Sequence, residues 1–232
     1  MEKQKYAAIV LAAGSGKRMN SQVHKQYLII QDRPVLYYSL KAFEDSAVDE
    51  IVLVVGKGEE KFCRKEIVDK YGISKVKAIV EGGKERYHSV FEGLKQTSDA
   101  DYVLIHDGAR PFVNQDIIRR CMQEVQKYQA CVVGMPVKDT IKIADEEGYA
   151  KQTPDRKNVW MIQTPQTFSY ALIYEAYEEM LKTEDTAITD DAMVLERIKG
   201  KKSKLIEGSY RNIKITTPED LLIANVYLQH PE

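Results

Sequence analysis

Apolar residues fall along this chain in two rhythms, short unbroken runs and longer stretches with a helical repeat, and the two alternate. The runs are residues 6–11, 51–55, 76–80, 102–105 and 130–135. An uninterrupted apolar run of this length predicts a strand covered on both faces. Between the runs, Leu36, Leu40 and Phe43 share one helical face. So do Phe62, Ile67 and Tyr71, then Val90 and Leu94, then Ile117, Ile118, Cys121, Met122 and Val125. Strand–helix alternation of this kind predicts an α/β fold with a mostly parallel sheet.

The rhythm breaks after Pro136. Residues 137–160 carry charge, Gly and Pro without a helical period, and they are too many for an ordinary loop. They predict an extended arm that leaves a single domain spanning residues 1–232. Leu172, Ala176 and Met180 mark another helix, and residues 189–198 a short one that Gly200 ends. Residues 204–207 and 212–215 predict two short strands. Thr217 caps a last helix with Pro218 in its first turn, where a missing N–H costs nothing.

Charge narrows the partners. The 232 residues hold 34 Lys and Arg against 35 Asp and Glu, a net charge of −1. No global field draws nucleic acid or a membrane surface, so any anion must be held by local clusters. No apolar stretch approaches the roughly 20 residues of a membrane span. The first six residues lack the order of a signal peptide, and the expected location is the cytoplasm. Cys63, Cys121 and Cys131 are odd in number and form no C-x-x-C pair, which predicts core thiols rather than disulfides or zinc. His24, His88, His106 and His230 show no metal spacing.

Candidate chemistry gathers after the strands, where open α/β sheets collect ligands. After the first run comes Ala12-Ala13-Gly14-Ser15-Gly16-Lys17-Arg18-Met19, with Lys25 beyond it. Small residues let a backbone approach an anion, and the cations suit a polyphosphate. The string is neither a P-loop nor a dinucleotide fingerprint, because Met19 stands where the third glycine belongs. After the third run, Gly82-Gly83-Lys84-Glu85-Arg86 leads to Ser89 on the next helix. After the fourth come His106-Asp107-Gly108-Ala109-Arg110. Asp107 suits Mg²⁺ or a hydroxyl and Arg110 suits a phosphate, unless the two form a buried ion pair. His106 fits a packed core position better than a metal site. Asp190 and Asp191 either cap a helix or serve the site. Lys214 alternates with Ile213 and Ile215 and so faces away from them.

Eight strings in order, AAGSGKRM, KQY, GGKERYHSV, HDGARPF, PVKDTIK, QTPQTF, TDDA and NIKITTPEDL, resemble the 2-C-methyl-D-erythritol 4-phosphate cytidylyltransferases of the non-mevalonate isoprenoid pathway. The resemblance runs from Tyr6 to about Leu228. It implies a Rossmann-like nucleotidyltransferase fold, a homodimer joined by the projecting arm, and CTP, Mg²⁺ and a sugar-alcohol phosphate as partners. On the matching positions, Arg18 and Lys25 resemble the pair that stabilises the transition state. Arg156 and Lys214 resemble the pair that positions the acceptor phosphate, Arg156 from the partner subunit. Asp107, Arg110, Thr140 and Thr164 resemble acceptor contacts. Ala12, Ala13, Gly14, Ser15, Gly16, Gly83 and Ser89 resemble nucleotide contacts, and Arg86 the residue that steadies them. His24 stands where the family often has Pro, and Gly108 where it often has Ala.

Two other readings compete. Ribitol 5-phosphate cytidylyltransferases share the chemistry, but Arg156-Lys157-Asn158-Val159-Trp160 and Asp190-Asp191-Ala192 resemble the methylerythritol type more closely. A non-catalytic nucleotide sensor would tend to have lost cations that act only at the transition state, and Arg18, Lys25, Arg156 and Lys214 are all present. The favoured reading requires that Arg18, Lys25 and Lys214 surround one cavity. Arg18→Ala or Lys25→Ala is expected to lower kcat by at least about 100-fold, the scale of removing one electrostatic stabiliser. Near-normal turnover in both variants, with folding intact by circular dichroism, would refute those roles.

Overall fold

The computed structural model describes residues 3–14, 24–183 and 187–230. Strand β1 is Tyr6–Ala12, and a single 3₁₀ turn follows at Lys25–Tyr27. A small ladder, β2 (Ile29–Ile30) with β3 (Arg33–Pro34), leads into α1 (Val35–Glu44). Then come β4 (Glu50–Val55), and α2 (Glu60–Phe62), which widens into π turns over Cys63–Asp69. They are followed by β5 (Val76–Glu81), α3 (Arg86–Leu94), β6 (Tyr102–Asp107), α4 (Gln115–Tyr128) and β7 (Ala130–Pro136). The arm holds β8 (Ile143–Ala144) and β9 (Ala150–Gln152). The chain returns through β10 (Trp160–Ser169), α5 (Tyr170–Met180), α6 (Asp191–Lys199), β11 (Lys204–Glu207) and α7 (Pro218–Gln229).

Seven strands form one sheet in the order β11-β7-β10-β6-β1-β4-β5. β10 runs antiparallel to both its neighbours, and the other ladders are parallel. The sheet is therefore mixed and mostly parallel, as the alternating pattern predicts. Alternate residues of one strand serve two cores. Ala8, Val10 and Ala12 of β1 pack with Leu36, Leu40 and Phe43 of α1 and with Ile117, Cys121 and Val125 of α4. Ala7 and Ile9 face the other way, onto Val90 and Leu94 of α3 and Ile173 and Tyr177 of α5. Two helical layers on a central sheet explain why the strands read as unbroken apolar runs. All three cysteines are buried, and burial pushes the thiols up, Cys63 to about 11 and Cys121 to about 12.

Two expectations fail. Residues 212–215 form no strand. Ile215 N–H instead bonds Ala109 O at 2.8 Å, which docks the segment on the loop after β6 rather than on a ladder. Conversely, β10 was not foreseen as a strand. Its middle is Gln163-Thr164-Pro165-Gln166-Thr167, with a cis Thr164–Pro165 bond and a register shift between Ile162 and Gln166. Those polar side chains are buried, which no hydropathy pattern announces.

The arm leaves at the end of β7 and returns at the start of β10, its base closed by Val137 N–H to Val159 O at 3.0 Å. β8 and β9 pair with each other and are exposed. Asp190 caps α6, accepting from Met193 N–H at 2.9 Å, and Gly200 ends that helix in the left-handed region. Thr217 and Asp220 cap α7 reciprocally. No described helix is long and apolar enough to cross a membrane. Leu104 is fully buried at the sheet's centre. Leu104→Ala is expected to lower unfolding free energy by about 2–5 kcal/mol in urea denaturation, and a change below about 0.5 kcal/mol, the surface range, would contradict that placement.

Candidate active site

Two adjoining clefts open at the carboxyl ends of the parallel strands. The larger, about 390 Å³, is lined by residues 11–14 at the end of β1 and just beyond it, by Lys25 and Gln26, by Gly83 to Arg86 and Ser89, and by Asp107, Ala109 and Lys214. The second, about 250 Å³, lies between β6 and β10 and includes Arg110, Gln163, Thr164, Gln166, Thr189 and Asp190. Arg86, Asp107 and Lys214 line both.

The large cleft depends on close backbone approach. Gly82 N–H bonds Val55 O at 2.8 Å, and a Cβ on Gly82 would stand 2.5 Å from Ala13 Cβ and 2.6 Å from Ser89 Oγ. Gly83 N–H donates to Ser89 Oγ at 3.1 Å. The β5–α3 turn thus lies against the end of β1, and only glycine permits it. Gln26 is buried and donates to Ala12 O at 2.5 Å, which ties the 3₁₀ turn to the same strand end.

Where the clefts meet, Asp107 gathers three cations. Lys214 Nζ is 2.8 Å from Oδ2, Arg86 Nε 3.4 Å from Oδ1, and Arg110 Nε 3.9 Å from Oδ2. Burial alone would raise the Asp107 pKa, but these neighbours outweigh it and hold the carboxyl well below the usual carboxylate range. Arg86 forms a two-pronged pair with Asp191, at 2.7 and 2.9 Å. Burial would weaken the guanidinium's charge, yet Asp191 and Asp107 more than compensate and raise its pKa. Asp191 is itself fully buried and accepts from Tyr177 Oη at 2.6 Å. Gln166 Oε1 then accepts from Asp191 N–H and Ala192 N–H, so β10 holds the start of α6 against Arg86.

The anchoring continues on the other side. Thr164 Oγ1 accepts from Asp107 N–H at 3.1 Å and contacts His106 Nδ1 at 3.0 Å. Arg110 donates to Asn212 O at 2.7 Å and Asn212 Nδ2 donates to Thr164 O at 2.9 Å, which fixes the segment carrying Lys214. Among the described residues the Arg110 Nε–H has no hydrogen-bond partner, its approach to Asp107 Oδ2 being 3.9 Å. His106 is fully buried, and burial lowers its pKa to about 4. It is the core histidine foreseen from the sequence.

Ala12, Ala13, Gly14, Lys25, Gly83, Arg86, Ser89, Asp107, Arg110, Thr164 and Lys214 therefore line one or both clefts. Ser15, Gly16 and Arg18 lie outside the described residues. Thr140 and Arg156 are exposed on the arm, and Arg156 Nη1 bonds Lys138 O at 3.0 Å. Neither lines either of these two clefts. Sequence reasoning assigned no role to Gln26, Lys84, Gln163 or Gln166, and it left Asp191 undecided between cap and site. The doubled Asp after Thr189 was the only signal of the last, and it concealed two functions, a cap at Asp190 and a buried counter-ion at Asp191.

Asp107, the expected Mg²⁺ ligand, has both oxygens facing cations, and no cluster of three His, Cys, Asp or Glu occurs among the described residues. These residues do not fit a protein-built magnesium cage. The charge neutralisation this chain supplies is that of its lysines and arginines.

The chain that carries these two clefts has relatives. The profile of the 2-C-methyl-D-erythritol 4-phosphate cytidylyltransferase (IspD) family matches residues 6–230. The chain belongs to this family. It is similar to the cytidylyltransferase of Lachnospira eligens, 54% identical over 96% of this chain and 98% of that one. It is similar also to that of Lachnoclostridium phytofermentans, 50% identical over 97% of each chain. Among solved structures, the 4-diphosphocytidyl-2C-methyl-D-erythritol synthase of Anaerococcus prevotii superposes with a TM-score of 0.86 at 38% identity, covering 98% of this chain and 97% of that one. The IspD fold is thus the fold of this chain, and the clefts sit on a cytidylyltransferase scaffold.

One pH dependence follows from His106. The unfolded group titrates near 6.5 and the folded one near 4, so across that window only the unfolded chain takes up the proton. Stability present above pH 6.5 is expected to fall by up to about 3 kcal/mol as pH drops to 4. Urea midpoints of the natural chain should decline across this range more steeply than those of His106→Asn, and equal slopes would contradict the buried neutral imidazole.

Proposed function

We propose that this chain transfers the CMP group of CTP to 2-C-methyl-D-erythritol 4-phosphate, giving 4-diphosphocytidyl-2-C-methyl-D-erythritol and pyrophosphate. The observation that carries this reading is the pair of clefts joined by Arg86, Asp107 and Lys214. The large cleft takes the nucleotide, and the smaller one the acceptor.

An oxygen of the acceptor phosphate attacks the α-phosphorus as the bond to the bridging oxygen breaks, and that electron pair leaves with pyrophosphate. No protein base is needed, because a phosphate monoester with a second pKa of about 6 is already ionised at neutral pH. The obstacle is electrostatic: two anions must meet while charge builds on the leaving group. Cations and positioning answer it. Lys25 serves the triphosphate side. Lys214, fixed by Asp107 at 2.8 Å, stands at the junction where the acceptor phosphate approaches. Arg18 completes the leaving-group side in this reading. Mg²⁺ belongs to it as the ion a nucleoside triphosphate carries on its own phosphates.

The second subunit is part of the proposal. Arg156 projects on an exposed arm and lines neither cleft of its own chain, which supports action in a partner's site. Polar, phosphorylated substrates suit a cytoplasmic enzyme, with no nucleic acid or membrane partner.

Pyrophosphate release tests the function directly, with four nucleoside triphosphates crossed against 2-C-methyl-D-erythritol 4-phosphate and ribitol 5-phosphate. CTP with the methylerythritol acceptor should be fastest. A preference for ribitol 5-phosphate would move the chain to the sister activity, and no release with any pair would leave a nucleotide sensor. In calorimetric titrations, Arg156→Ala is expected to weaken the acceptor by about 10-fold or more, the scale of losing one charged hydrogen bond, and to spare CTP. The reverse pattern would refute its role.

A further inference from the structure

The 3₁₀ turn that carries Lys25 into the large cleft is held from behind by a carboxylate outside that cleft. His24, which precedes the turn, and Tyr27, its last residue, both lie against Glu59, in the loop after β4. His24 Nδ1 stands 2.8 Å from Glu59 Oε1, a close approach without hydrogen-bond geometry. Tyr27 Oη donates to Glu59 Oε2 at 2.7 Å, and Gly56 N–H donates to the same oxygen at 3.0 Å. The Tyr27 ring meets Phe62 edge-on at 5.1 Å, and its hydroxyl lies 3.0 Å from Cys63 Sγ. Burial pushes the Tyr27 phenol far above its usual range, so it remains a donor at any working pH. Between these two residues, Gln26 reaches to Ala12 O. The turn has no side-chain cap of its own at His24. A three-residue turn is held by one internal bond or two and does not fix itself. Its position is set by Glu59 on one edge and Ala12 on the other.

Gly56 makes room for this arrangement. A Cβ there would sit 2.7 Å from Glu59 Oε2, where the carboxylate accepts from both Tyr27 and the Gly56 amide. The loop after β4 is thereby shaped around a carboxylate whose partners bracket Lys25.

We propose that Glu59 is a positioning residue for the transfer reaction: by holding the Tyr27 hydroxyl, with His24 close against its other oxygen, it sets the lysine between them at the triphosphate cleft. This rests on the reading of Lys25 as a transition-state cation. Glu59 touches neither cleft and acts only through that turn.

The test is steady-state kinetics on Glu59→Ala, Lys25→Ala and the double variant. Glu59→Ala is expected to lower kcat by at least about tenfold, the order of an ångström-scale misplacement, with KM for CTP and acceptor within about twofold. In the Lys25→Ala background the same change should cost less than about twofold, because two residues that act as one unit are not additive. Normal kcat in Glu59→Ala beside a deep loss in Lys25→Ala overturns the positioning role and leaves the function intact. A further tenfold loss in the double variant overturns it too, since Glu59 would then act elsewhere. Normal turnover in Lys25→Ala removes the reading of Lys25 and this inference with it. Should Glu59→Ala fail to fold, Tyr27→Phe keeps the ring against Phe62 and removes one donor to the carboxylate. It should lower kcat by about threefold or more with KM unchanged, and wild-type kcat in that variant overturns the proposal.

Discussion

The Asp107 carboxylate, held between Lys214, Arg86 and Arg110, is the constraint on which the site depends. Three cations close together repel one another and would splay into solvent without a shared counter-ion. Asp107 keeps them together, and Asp191 takes the other edge of Arg86. Three positive groups against two carboxylates leave a net positive charge, fixed before any ligand arrives. A preorganised charge costs no reorganisation when negative charge develops, which makes it worth more than the same lysine on a mobile stem.

The fold exists to bring these groups to one place. Asp107 stands at the end of β6, Arg86 at the start of α3, Asp191 at the start of α6, and Lys214 on the segment docked beside Ala109. They are far apart in sequence and meet only because parallel strands end on one edge of the sheet. β10 matters as much as any parallel strand. Running antiparallel between β6 and β7, it presents Thr164 to the Asp107 amide and His106, and Gln166 to the start of α6. In its proposed role Glu59 extends the same logic outward, from groups that line a cleft to a group that places one of them.

The parallel strands and their helices were legible because burial on two faces writes itself as an apolar run and a helical face as a 3.6-residue repeat. β10 was not legible, because its buried side chains are polar, with Gln163, Thr164 and Gln166 bonded to groups distant in sequence. Residues 212–215 failed oppositely: alternation suggested a strand, but the backbone bonds went to Ala109 and Ser209. For the site, the glycines and the cations after each strand marked loops that line the two clefts, and the resemblance assigned them roles. What no single loop could show was pairing. Nothing around Asp191 marks it as the partner of Arg86, 105 positions away, and nothing around Glu59 points to His24 and Tyr27. Long-range counter-ions leave no periodic trace.

The central claim is that one seam of cations divides a nucleotide cleft from an acceptor cleft. A crystal structure with CTP and 2-C-methyl-D-erythritol 4-phosphate tests it most directly. The triphosphate is expected between Lys25 and Lys214, against residues 12–14 and Gly83, and the acceptor phosphate at Lys214 on the Arg110 and Thr164 side. Nucleotide density away from the Asp107 seam, or both ligands in a single cleft with Lys214 turned from them, would contradict it.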